Sequence, residues 1–250
     1  MLAVTETGAL LVDGTWALPS RTEPFDPYLK DTFASVDTDA IKAAPITERL
    51  SASVDAFGKA GLDGTKPVAV YDRVGLFSAP WIMWLLRSHG CEAQLVEGWG
   101  ETQLASQLAP PTRFLPSRDP SEMNVSRDNV LAAIGTDVQI VDARPPGRFA
   151  GASPEPRPGC RAGHIPGSLD VPFGTLKDGR SFHNVSTLSS LFQDAGVDLA
   201  KPVITTCGSG VTASGLAVAL TRCGAADVKV YQGSWAEWGM DDTLPIETGA

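Results

Sequence analysis

The chain has 250 residues, 43% of them hydrophobic, which is enough for one large domain or two ordinary ones. Its formal net charge of −9 argues against nucleic acid or an anionic membrane as a partner, because both would repel it. No apolar run approaches the roughly 20 residues that span a bilayer. The four cysteines form neither a CxxC pair nor a zinc-binding pattern, so we expect a cytoplasmic protein with no metal and no other cofactor.

The first half of the chain predicts strands that alternate with a helix. Residues 10–13, 68–70 and 94–96 are short apolar runs that are typical of buried strands. Residues 78–89 form an apolar predicted helix, and Gly90 follows it at a position where a left-handed residue often ends a helix. This alternation indicates an α/β fold with a mostly parallel sheet and helices on both faces.

Residues 109–120 separate the two halves of the chain. They contain four prolines and show little hydrophobic periodicity, which is typical of a linker. We therefore expect a first domain over residues 1–108 and a second over residues 121–250.

The second half repeats the pattern of the first. It predicts strands at 139–142, 203–205 and 228–231 and a helix at 213–223, again followed by a glycine. A shift of 135 residues brings 57–98 onto 192–233 without a gap. Eleven of the 42 aligned positions are identical, where ordinary residue usage predicts about three. A period this long indicates two duplicated α/β domains.

The loop of residues 207–212, Cys-Gly-Ser-Gly-Val-Thr, joins a predicted strand to a predicted helix in the second copy. Ligands of open parallel sheets bind beyond the carboxyl ends of the strands. Two glycines allow successive backbone N–H groups to point inward, and the helix N-terminus adds partial positive charge. A thiol at Cys207 should therefore ionise readily and act as a nucleophile.

The aligned loop of the first copy provides an internal comparison. Asp72 stands where Cys207 stands in the second copy. A carboxylate cannot act as a sulfur nucleophile, so we expect the first domain to be inactive.

The loop at 207–212 resembles the active loop of the 3-mercaptopyruvate sulfurtransferases, a branch of the tandem-domain rhodaneses. Residues 142–149 (Asp-Ala-Arg-Pro-Pro-Gly-Arg-Phe), 154–157 (Pro-Glu-Pro-Arg) and 163–168 (Gly-His-Ile-Pro-Gly-Ser) carry further resemblance. Residues 70–72 and 75–80 resemble the inactive first domain of that family. The resemblance covers nearly the whole chain and implies two tandem rhodanese-like domains.

The resemblance also implies roles for particular residues. Cys207 would attack the sulfur of a small anionic donor, become a persulfide, and pass the sulfur to thioredoxin, another thiol or cyanide. Ser209 would polarise the donor together with the N–H groups of the loop. Arg148 and Arg157 match the arginines that hold the donor's carboxylate, and a guanidinium group suits that task. The other loop residues implied in substrate binding are Gly208, Gly210, Val211 and Thr212.

Three alternative interpretations of the sequence remain. A thiosulfate sulfurtransferase needs a more cationic loop for its dianionic donor, whereas Gly208 and Ser209 are uncharged. A cysteine-dependent phosphatase needs an arginine at the sixth position after the cysteine, where this chain has Ala213. A non-catalytic sulfur-relay or binding module is disfavoured by the intact loop. We expect the protein to be a monomeric enzyme.

The chain departs from the family pattern in one respect. The first domain of the family usually has a His-Ile-Pro-Gly segment, whose histidine supports the loop serine. Residues 17–50 of this chain contain no histidine. The resemblance therefore predicts that this support for Ser209 is missing. His164, in the second copy, matches a histidine whose role is mainly structural.

Overall fold

The computed structural model describes residues 10–13, 34–45, 48–98 and 110–249. They form two compact units, one within residues 1–120 and the other within residues 121–250. Each unit is built on a four-stranded sheet in which every pairing is parallel. This confirms the predicted α/β class. No helix among the described residues is long and apolar enough to cross a membrane.

The first unit has a central pair of strands with helices between them in the chain. Its sheet has the strand order β2-β1-β3-β4. Its elements are β1 (Leu10–Asp13), β2 (Ala34–Ser35), α1 (Thr38–Ala43), α2 (Arg49–Lys59), β3 (Val68–Tyr71), α3 (Ala79–Ser88) and β4 (Ala93–Leu95).

The second unit has a sheet with the strand order β10-β9-β5-β6 and a separate antiparallel hairpin of β7 and β8. Because β9 is an inner strand, the residues that follow it emerge at the middle of the sheet's carboxyl edge. The elements are α4 (Arg127–Ala133), β5 (Gln139–Asp142), α5 (Pro146–Phe149), β6 (Leu169–Asp170), β7 (Lys177–Asp178), β8 (Ser181–Phe182), α6 (Val185–Asp194), β9 (Val203–Thr206), α7 (Val211–Arg222), β10 (Val228–Val230) and α8 (Ser234–Trp238).

The predicted strands agree with these bounds to within one residue at each end. The helix α7 begins at Val211, two residues earlier than predicted. Gly210 adopts the left-handed conformation (φ 86°), so the chain turns sharply there and the helix starts at once. The hydrophobic pattern could not show this, because the start of α7 is set by a backbone dihedral angle.

The described part of the predicted linker packs against the first unit. The N–H groups of Thr112 and Leu115 donate to the carbonyls of Gly58 (2.9 Å) and Asp63 (3.1 Å). Phe114 is 3% exposed, and its ring centroid lies 5.3 Å from that of another buried aromatic residue of this unit. Residues 112–115 are therefore held by backbone hydrogen bonds and a buried aromatic side chain. The domain borders themselves stay a prediction.

His89 is buried at the C-terminal end of α3. Its Nε2 lies 3.0 Å from the carbonyl oxygen of Leu50 and 2.9 Å from Oγ of Ser53. Its Nδ1 is buried without a hydrogen-bond partner among the described residues. Burial lowers the pKa of His89, and the hydrogen bond to Leu50 opposes this only in part. The neutral imidazole is therefore the form that this environment accommodates.

We expect acid to destabilise the protein through His89. Because its pKa is lower in the folded state, the stabilisation is complete above the unfolded pKa of about 6.5 and is lost as the pH falls below that value. Urea unfolding between pH 7.5 and 5 should show this loss, and His89→Gln should reduce the slope. Unfolding of the wild type over the same pH range gives the reference slope. An unaltered slope in His89→Gln would contradict the prediction.

Candidate active site

The loop between β9 and α7 requires glycine at position 210. A Cβ atom there would lie 2.6 Å from the backbone oxygen of Gln232 and 3.0 Å from its Oε1. The positive φ of Gly210 disfavours any other residue further. Close packing and backbone conformation thus combine to bend the chain between Cys207 and the first turn of α7.

This bend brings backbone donors to the sulfur of Cys207. The N–H groups of Ser209 and Gly210 donate to Sγ, with N···S distances of 3.4 and 3.1 Å. The N-terminus of the 12-residue helix α7 begins at the next residue. Converging N–H groups and a helix N-terminus stabilise negative charge on the sulfur. Cys207 is 1% exposed, so the surrounding residues cover it almost completely.

The start of α8 anchors the other side of the loop backbone. Oγ of Ser234 accepts a hydrogen bond from the N–H of Cys207 (3.1 Å) and lies 3.9 Å from its Sγ. The N–H groups of Trp235 and Ala236 donate to the carbonyls of Cys207 (2.9 Å) and Gly208 (3.0 Å). Ser234 was not predicted as a site residue, because nothing in the sequence marks a serine 27 residues downstream as a neighbour of the thiol.

The corresponding loop of the first unit carries its own anion. Asp72 is 3% exposed, and Gly75 has a φ of 78°, close to the 86° of its aligned partner Gly210. The carboxylate of Asp72 accepts four backbone N–H bonds of 2.8 to 3.1 Å, from Val74, Leu76, Ser78 and Ala79. A side chain of the protein therefore fills this anion-binding loop.

Arg148 lies beside the loop of the second unit. Its Nε donates to Oε1 of Glu155 (3.0 Å) and its Nη2 donates to Oε2. A Cβ atom on Gly208 would lie 2.9 Å from Nη2 and 3.4 Å from Nη1 of Arg148. Gly208 therefore allows the guanidinium group to approach the loop backbone closely. The side chain of Arg148 is 23% exposed and so remains accessible.

Arg157 is exposed and reaches the same region by a different contact. Its Nη1 donates to the carbonyl oxygen of Ala236 at 3.4 Å. The N–H of Ala236 is itself bonded to the carbonyl of Gly208. In the described part of the chain, no carboxylate forms an ion pair with Arg157.

The other predicted loop residues differ in what they expose. Ser209 and Thr212 are half-buried, whereas Val211 is 1% exposed. The side chain of Val211 belongs to the core, so only its backbone N–H is suited to contact a ligand. The structure thus brings the loop and Arg148 together and places Arg157 close by, while their roles stay predictions.

A buried ion pair behind the loop was not assigned a role from the sequence. Arg144 is 1% exposed, and its Nε and Nη2 donate to Oδ2 of Asp142 at 2.9 and 2.8 Å. Its Nη1 donates to Oε1 of Glu155 (3.0 Å), and its guanidinium carbon lies 4.4 Å from the ring centroid of Trp235. Arg144 therefore connects β5, Glu155 and α8.

His164 has the contacts of a structural residue. It is 6% exposed, its Nδ1 lies 2.9 Å from the carbonyl oxygen of Phe149, and its ring stacks on that of Phe149 at 3.9 Å. Cys160 is the other thiol near the site, with Sγ 3.6 Å from the carbonyl oxygen of Trp235. Burial raises the pKa of Cys160, which disfavours its thiolate form.

The sequence also predicts that the protein holds no metal and that it lacks the first-domain histidine of the family. Among the described residues, no group of three or more His, Cys, Asp or Glu side chains is arranged to hold a metal ion. Much of the segment 17–50, where the family's first-domain histidine is absent, lies outside the described residues.

Comparison with known proteins identifies relatives over most of the chain. The rhodanese-like domain model matches residues 126–241. The chain is 34% identical to the 3-mercaptopyruvate sulfurtransferase of Rattus norvegicus over 92% of this chain and 84% of the relative. It is 37% identical to that of Escherichia coli K12 over 77% of this chain and 72% of the relative. The crystal structure of the Tum1 protein from Saccharomyces cerevisiae matches with a TM-score of 0.82 and 28% identity, covering 96% of this chain and 91% of that one.

Proposed function

Since this chain belongs to the 3-mercaptopyruvate sulfurtransferase family of tandem rhodanese-like proteins, we propose that Cys207 takes a sulfur atom from 3-mercaptopyruvate and passes it to a thiol acceptor. The chain is a sulfurtransferase, and the proposal concerns its donor, its acceptor and its mechanism. One observation carries it: two backbone N–H groups converge on Sγ of Cys207 at the N-terminus of α7. This arrangement supports Cys207 as the attacking nucleophile, because the two N–H groups can stabilise negative charge on its sulfur.

The proposed reaction has two sulfur transfers. The thiolate of Cys207 attacks the sulfur of mercaptopyruvate and forms an S–S bond while the donor's C–S bond breaks. The electron pair of that bond leaves as the enolate of pyruvate, which takes a proton to become pyruvate. The thiolate of an acceptor such as thioredoxin then attacks the outer sulfur of the persulfide, which restores the thiolate of Cys207. Cyanide would accept the same sulfur as thiocyanate.

The charges around the loop support a monoanionic donor. Gly208 and Ser209 are uncharged, and the guanidinium groups of Arg148 and Arg157 suit one carboxylate. The alternative donor is thiosulfate, a dianion. The test is to measure transfer from mercaptopyruvate and from thiosulfate to the same thiol acceptor under identical conditions. Equal or better turnover of thiosulfate would overturn the donor assignment.

Ser209 is proposed to assist as a hydrogen-bond donor to the substrate. Because residues 17–50 contain no histidine, the family's first-domain histidine is not there to act on Ser209, and general acid–base help is typically worth about 10²–10⁴-fold in rate. We therefore expect Ser209→Ala to reduce kcat/KM by much less than Cys207→Ser does. We also expect the pH–rate profile of the wild type to lack a limb near pH 6.5.

The histidine variants provide the control for this expectation. His89, His164 and His183 are the three histidines of the chain. Each should be replaced by alanine, with thermal unfolding measured to separate folding defects from catalytic ones. A large loss of activity in one stable variant, together with the loss of a limb near neutral pH, would show that this histidine serves Ser209.

The remaining alternative is a sulfur-relay or binding module without turnover. A persulfide that forms on Cys207 but is not passed to any thiol acceptor would favour this alternative. The cytoplasmic setting and the monomeric state stay predictions from the sequence.

A further inference from the structure

Glu155 is a buried carboxylate held between two arginines. Its side chain is 4% exposed. Oε1 accepts from Nε of Arg148 and from Nη1 of Arg144, both at 3.0 Å, and Oε2 accepts from Nη2 of Arg148. The ion pair with Arg148 is thus bidentate, which fixes the plane of the guanidinium group as well as its position.

This pairing determines which part of Arg148 faces the loop. The Nε–Nη2 edge is taken up by Glu155, while Nη1 and Nη2 are the atoms nearest to a Cβ built on Gly208. Arg148 therefore presents the hydrogens of its terminal nitrogens to the loop. An arginine on a four-residue helix such as α5 would otherwise sample many rotamers.

The pairing also determines the charge beside the loop. Asp142, Arg144, Glu155 and Arg148 form a connected set of two carboxylates and two guanidinium groups, which has no net charge. Among the described residues, Arg157 is the guanidinium near the loop without a carboxylate partner. These five side chains therefore carry one net positive charge, to which the thiolate of Cys207 and the carboxylate of Asp170, a neighbour of Asp142 and Arg144, add negative charge.

We propose that Glu155 is a positioning residue that sets donor selectivity, by orienting Arg148 against Gly208 and cancelling its charge. The site then favours a monoanionic donor over a dianionic one. Arg157 can compensate one negative charge of the donor, whereas the charge of Arg148 is already compensated by Glu155. The inference rests on the proposed function, since it concerns the donor of that reaction. Glu155 itself need not contact the substrate.

The test is Glu155→Gln. The amide oxygen of glutamine can still accept from Nε of Arg148 and from Arg144, and Arg144 keeps its bonds to Asp142 and to the carbonyl of Gly163. The variant therefore removes one negative charge and keeps the two hydrogen bonds to the remaining oxygen, while its amide NH2 faces Nη2 of Arg148 and the third bond is lost. We expect the kcat/KM for thiosulfate relative to that for mercaptopyruvate to rise about three- to tenfold, the order of effect of one unit charge near the donor.

Two further variants separate charge from structure. Asp242→Asn removes one negative charge from a side chain that is 92% exposed, and it should leave the donor ratio unchanged. Glu155→Asp keeps the charge with a shorter side chain, and it should retain the wild-type ratio even if both KM values rise. A purely structural role would lower activity with both donors equally in Glu155→Gln and Glu155→Asp. That result, or an unchanged ratio in Glu155→Gln, would overturn the proposal.

A second measurement does not depend on the identity of the donor. Iodoacetate and iodoacetamide both alkylate a thiolate with loss of iodide, but only iodoacetate is an anion. We expect Glu155→Gln to raise the alkylation rate of Cys207 by iodoacetate relative to iodoacetamide by the same factor of about three to ten. Absence of turnover with both donors in the wild type would reject the proposed function, whereas an unchanged alkylation ratio would reject the role of Glu155.

Discussion

Replacing Cys207 with serine is expected to abolish sulfur transfer. A serine hydroxyl at this position would still receive the two N–H groups, but it is not ionised near neutral pH and cannot form a persulfide. The loss should be at least about a thousandfold, which is typical when the nucleophile of a covalent mechanism is removed. Steady-state assays with mercaptopyruvate and a thiol acceptor will measure it.

Mass spectrometry identifies the sulfur carrier directly. After treatment with the donor and removal of excess reagent, the peptide that contains Cys207 should gain one sulfur atom. Cys160→Ser is the matched control, because this thiol also lies near α8 but has a pKa raised by burial. It should keep both the added sulfur and the activity. An added sulfur on Cys160 in the wild type would show that the assigned carrier is wrong.

Removing either arginine near the loop is expected to weaken the use of mercaptopyruvate strongly. A charge-assisted hydrogen bond is worth about 1.5–3 kcal/mol, so Arg148→Ala and Arg157→Ala should each lower kcat/KM by roughly ten- to a hundredfold. If the arginines bind the carboxylate equally in the ground and transition states, the loss will appear in KM. Kinetic assays with varied mercaptopyruvate will measure the effect.

The two arginines should differ in their effects on stability. Arg148→Ala leaves the buried carboxylate of Glu155 with Arg144 as its remaining ion-pair partner, so the thermal unfolding temperature should fall. Arg157 is exposed, so its removal should lower activity with little effect on stability. Arg127→Ala, which removes two partly exposed ion pairs elsewhere in the second unit, is the control and should leave kcat/KM unchanged. Unchanged KM and kcat in Arg157→Ala would remove it from the donor site.

The stability measurement on Arg148→Ala also guides interpretation. If this variant is too unstable to assay, Arg148→Lys keeps the charge while it loses the bidentate geometry. Its kcat/KM for mercaptopyruvate should still fall, because a lysine ammonium cannot pair with Glu155 and face Gly208 in the same planar arrangement.

The sequence by itself determined the features that depend on local pattern and on the repeat. The apolar runs predict the inner strands β3 and β9 most directly, because every residue of these two strands is buried. The glycine at 210 and its aligned partner at 75 predict two sharp turns, and both residues have a positive φ. The alignment of the two halves also places a carboxylate, Asp72, where the second copy has its thiol. In the structure, this carboxylate accepts four backbone N–H bonds.

Only the tertiary structure decided which distant residues surround the thiol. Ser234 contacts Cys207 from 27 positions away along the chain. Arg148 follows β5, the strand next to β9 in the sheet, and it lies close to the loop that follows β9. Such contacts follow from strand order and close packing, in which a Cβ on Gly208 would already crowd Arg148. A single sequence carries no periodic signal for them. The pairing of Arg148 with Glu155, and with it the charge presented to the donor, therefore became visible only in the folded chain.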